Sequence, residues 1–151
     1  MNESDIREFV TAYRRSRHDL AQIRVDDRNA QYRQRVISFV CANPSLADRD
    51  LLRDLVEHEC LWSRLGDIDC DAIGILLSRL LELGSCEELD VLLRAVCHNM
   101  DLDGHLLSGG LVLSAHRQAE LLAFLDKHYS SLTRTAFTVA RGVVDGARPM
   151  E

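Results

Sequence analysis

Proline is nearly absent from this chain. Only Pro44 and Pro149 occur, so long stretches carry no obligatory break. Proline removes a backbone donor and clashes with the preceding turn, so its scarcity beside abundant Leu and Arg favours helix over strand. Lysine is scarcer still, with seventeen arginines against the single Lys127. Helix propensity does not separate these two residues, so the skew points to a GC-rich, bacterial coding genome. The arginines are spread along the whole chain, which argues against selection for one bidentate anion site.

Other absences exclude function classes. No run of about 18 apolar residues exists, so no transmembrane helix is expected. Residues 1–17 are polar and charged where a signal peptide needs an apolar stretch, which predicts a cytoplasmic protein. Five cysteines, Cys41, Cys60, Cys70, Cys86 and Cys97, form no C-x-x-C, and their odd count points to reduced thiols rather than a disulfide framework. No G-x-G-x-x-G or phosphate-loop pattern occurs.

What is present fits one globular domain. At 151 residues, 46% hydrophobic and 28% charged, the chain is long enough to bury its own core. Apolar residues recur at helical spacing in seven segments. The first runs through Ile6, Phe9, Val10, Tyr13, Leu20 and Ile23, and the second to Ala42 through Tyr32, Val36, Phe39 and Val40. The third follows a Ser45–Asp48 capping pattern and carries Leu51, Leu55, His58, Trp62 and Leu65. The fourth, about Cys70 to Leu83, is apolar around most of its circumference and is expected at the centre. The fifth carries Leu89, Leu92, Leu93, Val96, Cys97 and Met100 on one face. An irregular stretch is expected over Asp101–Gly110. The sixth helix starts at a Ser114 cap with Ala115, Leu122, Leu125 and Tyr129 facing inward, and the seventh runs to Val144. The prediction is an all-α domain over 1–145, an orthogonal or solenoid-like bundle of about seven helices, with 146–151 as a frayed tail.

Every catalytic or metal pattern lacks a required position. Asp67, Asp69 and Asp71 begin like a calcium loop, but Ala72 replaces its glycine and Ser78 its closing glutamate. His58 with Cys60, and Cys97 with His98, are too close along a helix to face one metal. No catalytic residue, metal or cofactor is therefore expected.

The charge is uneven. Residues 1–53 hold ten arginines against eight carboxylates, whereas the rest holds eight basic residues against sixteen acidic ones, for a net charge of −6. The acidic part would steer a basic partner inward. The expectation is a protein that binds another protein, such as a basic toxin, through Asp67, Asp69, Asp71, Glu87, Glu88, Asp90, Asp101 and Asp103. Self-association as a homodimer is compatible with it. The alternative is a nucleic-acid-associated regulator using Arg7, Arg14, Arg15, Arg28 and Arg33, weakened by interspersed Asp19, Asp26 and Asp27 and by the lack of interleaved aromatics.

Overall fold

A computed structural model describes residues 30–43, 47–62, 68–97, 99–129 and 134–151. Seven α-helices fill most of them: α1 Ala30–Ala42, α2 Arg49–Trp62, α3 Cys70–Leu83, α4 Leu89–Ala95, α5 Met100–His105, α6 Ala115–His128 and α7 Arg134–Asp145. The fold is all-α, apart from a two-stranded parallel pair, β1 Val112–Leu113 and β2 Arg148–Pro149. The first helix expected from the sequence lies outside the described residues. Among these residues, no helix is long and apolar enough to cross a membrane.

Helix α3 forms where the sequence places it, for local reasons. The Asp69 side chain accepts a hydrogen bond from the Ala72 amide at 2.9 Å, satisfying one of the donors a helix start leaves open. Gly84 ends it. Ile73, Leu76, Leu77, Leu80 and Leu81 are fully buried, because α3 packs against α1, α2, α5 and β1. At roughly 0.8 kcal/mol per buried methylene, this row is a major hydrophobic contribution to the fold. In α2 the cap is Asp48, whose carboxylate accepts from the Leu51 amide at 3.0 Å; Ser45 lies outside the described residues. In α6 the Ser114 cap forms as expected, but Leu121 and Leu125 are the buried pair and Ala115 is exposed.

Three expectations are corrected. The fifth segment does not run as one helix to Met100. A 3-10 turn, Cys86–Glu88, leads into α4, which stops at Ala95, and Met100 is 90% exposed. The stop is Cys97, with φ of 67°, whose amide donates to the Asp103 carboxylate at 3.0 and 3.1 Å. A left-handed residue just past the last turn is the usual way to end a helix, normally by glycine. Second, the stretch Asp101–Gly110 is irregular only in its second half. Asn99 caps α5 by accepting from the Asp101 and Leu102 amides, and the chain leaves helical geometry at Ser108 and Gly109, the latter with φ of 87°.

Third, the C-terminal residues are not simply a frayed tail. The Arg148 and Met150 amides donate to Leu111 and Leu113 carbonyls at 2.8 and 3.1 Å. This alternation turns the intervening Pro149 outward. On the other side of the pair, the Val112 amide donates to Ser78 Oγ at 2.9 Å.

Candidate functional site

The central helix leaves one face uncovered. Asp71, Ile75, Ser78 and Glu82 follow one another at three- and four-residue steps, and Arg79 stands four after Ile75, so they share one side of α3. They form one wall of a groove of about 650 Å³. The other wall comes from His105 and Gly110, Val112 of β1, and Arg148 and Met150 of the strand segment. Ile75 and Met150, 46% and 49% exposed, give it an apolar floor with Val112.

The two walls are tied together. Ser78 Oγ donates to the Gly74 carbonyl at 2.6 Å while accepting from Val112. Gly74 lets the chain past it, since a Cβ there would sit 2.5 Å from the Gly110 carbonyl oxygen. Glu82 accepts from the Ser114 amide and hydroxyl at 3.2 and 2.8 Å, which sets its charge against the positive end of the α6 dipole. His105 Nδ1 lies 3.6 Å from Asp71, and Arg148 Nε donates to the Gly109 carbonyl at 2.6 Å. Arg79 differs from these groups. Its Nε is buried and meets no acceptor, and among the described residues its guanidinium has no ion-pair partner.

The acidic residues singled out in the sequence divide into two groups, one at each end of α3. This helix has 14 residues and so is about 20 Å long. At its N-terminal end Asp69, Asp71 and Asp101 surround Cys70, whose thiol is pushed up by burial and then by these three charges. All three are exposed, and among the described residues no arginine or lysine is paired with them. Asp103 nearby is tied to the Cys97 amide.

At the other end the carboxylates are neutralised. Glu88 has no exposed side-chain surface and is held by Arg49 and by Arg53, the latter at 3.1 Å. Arg53 also reaches Asp90 at 2.9 Å and Glu57 at 3.2 Å, and Arg94 reaches the same two carboxylates. Glu87 stays exposed, and with Asp90 it adds to the burial that pushes the Tyr129 phenol up. Asp67, Arg7, Arg14, Arg15 and Arg28 lie outside the described residues, and only the backbone of Arg33 is described.

Burial raises the thiol pKa values. Burial, followed by the charges of Glu59 and Glu57, pushes Cys60 up to about 12. Cys86 is also raised by burial, although Arg117 beside it pulls the other way. His58 is buried in α2. Among the described residues, no three His, Cys, Asp or Glu side chains converge as metal ligands would.

Arg79, Arg148 and His105 were not picked out from the sequence as a set. The one signal available was Ile75, an apolar residue off the main stripe of its helix. Compared with family models, curated proteins and solved structures, the chain matches none.

Proposed function

We propose that this protein acts by binding another protein, of basic character, at the acidic end of α3. The observation that carries the reading is the contrast between the two ends of that helix. Glu57, Glu88 and Asp90 are answered by arginines of the same chain, whereas Asp69, Asp71 and Asp101 are exposed without such a counter-charge among the described residues. Carboxylates at the starts of two packed helices, with no arginine or lysine on them, create a local negative potential that speeds encounter with a basic surface. A cytoplasmic, toxin-neutralising protein of the immunity or antitoxin kind is the form of this reading favoured by its small size and acidity. That step is an analogy of class.

The test is capture of the partner from the native host, then association kinetics across ionic strength. The association rate of the wild-type protein should fall steeply with salt. The combined variant Asp69→Asn/Asp71→Asn/Asp101→Asn should flatten that slope while leaving the thermal melt in place. A salt-independent rate, or an unchanged slope in the variant, overturns the reading. Retardation of DNA or RNA at about 50 mM salt, lost when Arg14 and Arg15 are reversed, would instead favour the nucleic-acid alternative.

A further inference from the structure

The groove beside that acidic end differs from it in holding two arginines with donors to spare. Five ionisable side chains line it: Asp71, Glu82, Arg79, Arg148 and His105. Two of these are carboxylates. Glu82 has both oxygens on Ser114 at the start of α6. Asp71 is 87% exposed at the outer end of the groove and has His105 beside it. Arg148 is held through Nε alone, by the Gly109 carbonyl, which leaves its two terminal nitrogens as donors. Among the described residues Arg79 meets no acceptor: its Nε is buried and unanswered, and its terminal nitrogens remain as donors. A buried donor without an acceptor is costly, and an arginine fork is shaped to receive a planar carboxylate. Ile75, Val112 and Met150 give the same groove an apolar floor. The volume, about 650 Å³, is within the range of small-molecule sites.

We propose that this groove binds a small carboxylic acid with an apolar body, its carboxylate on Arg79 and Arg148 and its hydrocarbon over Ile75, Val112 and Met150. Such a ligand would accept from the terminal nitrogens of Arg79, which have no partner among the described residues, and cover the exposed apolar floor at once. A neutral amphiphile would satisfy only the floor, and a cationic one would meet two guanidiniums. The site shares Asp71 with the acidic end but does not depend on the protein-binding reading.

Octanoate, below its micelle concentration, is the probe, with 1-octanol and octylammonium as matched neutral and cationic chains. Amide spectra of the full-length protein are followed during titration. Octanoate should shift residues 75, 79, 112, 148 and 150 saturably, and bind about tenfold more tightly than octanol, the size of one charge-assisted hydrogen bond. Octylammonium should be weaker than either. Arg79→Gln should remove most of the octanoate advantage while leaving octanol affinity unchanged. It has no described polar contact to lose, so its fold is the safer of the two. Arg148→Lys, which keeps the charge, should retain more of the advantage than Arg148→Gln. The proposal falls if octanoate and octanol bind equally, if no saturable shift occurs in the groove, or if Arg79→Gln leaves octanoate affinity unchanged.

Discussion

The ion cluster around Glu88 makes a prediction whose sign is unusual for a charged network. Replace Arg53 by Met, which keeps most of the aliphatic stem. Glu88 then loses its 3.1 Å partner and depends on Arg49, which is half exposed. Asp90 and Glu57 keep Arg94. Removing one member of a buried pair typically costs about 3–5 kcal/mol, because the other charge stays buried. With Arg49 still present, the expected loss here is about 2–3 kcal/mol. Now replace Glu88 by Leu in the same variant. The stranded carboxylate disappears, the remaining arginines can turn toward solvent, and a buried apolar side chain takes its place. The double variant Arg53→Met/Glu88→Leu should therefore regain about 1–2 kcal/mol over Arg53→Met alone. Urea unfolding followed by circular dichroism reads both steps. With a slope of about 1–3 kcal/mol per molar, the midpoint should fall by about 1 M and then partly recover. If the double variant is less stable than the single one, the cluster contributes net attraction beyond its desolvation, and the reasoning fails.

Three further outcomes are expected. Gly74→Ala should lower the stability read from thermal melts, since its Cβ would meet the Gly110 carbonyl oxygen at 2.5 Å, by about 1–3 kcal/mol for overpacking; Gly104→Ala, with open space around it on α5, should raise it by up to about 1 kcal/mol. Cys97→Gly should also raise it, by about 1 kcal/mol, because the left-handed backbone at 67° suits glycine, and an unchanged melt would mean that the Asp103 cap already offsets the strain. Cys60, raised from its ordinary 9.0 to about 12, contributes stability that is fully present below pH 9 and is lost as pH rises toward 12. Comparing urea midpoints at pH 8 and pH 11 should thus show a smaller alkaline loss for Cys60→Ala than for wild type, and in the native protein the exposed Cys97 should alkylate well before Cys60.

Much of the helix framework can be read from local signals, because those signals act locally. Asp69, Ser114 and Gly84 mark their boundaries by satisfying or ending backbone hydrogen bonds within a few residues. The buried row of α3 follows from periodicity alone. The break between α4 and α5 gives no such warning. The apolar spacing from Leu89 continues to Met100, and the residue that turns the chain is a cysteine, where glycine would have announced a stop. The strand pair is hidden for a different reason: two residues show no alternation, and their partners lie 36 positions away. The same distance problem governs the charges. Glu88 and Asp90 look like free acids in the sequence, yet Arg53, which answers them, lies 35 and 37 positions earlier. Arg79 and Arg148 come to one groove only through the strand pair.

That strand pair also bears on how the molecule meets its own kind. A short parallel ribbon at a surface exposes the row of backbone groups through which chains stack into aggregates. Here the inner row is closed by the hydroxyl of Ser78. The outer row has at its centre a ring nitrogen with no hydrogen to give, that of Pro149. The ribbon can fasten the C-terminal residues to the body without serving as a template for a further strand. Recognition on this face is left to side chains, and the chain has a built-in guard against growing, copy by copy, from its own edge.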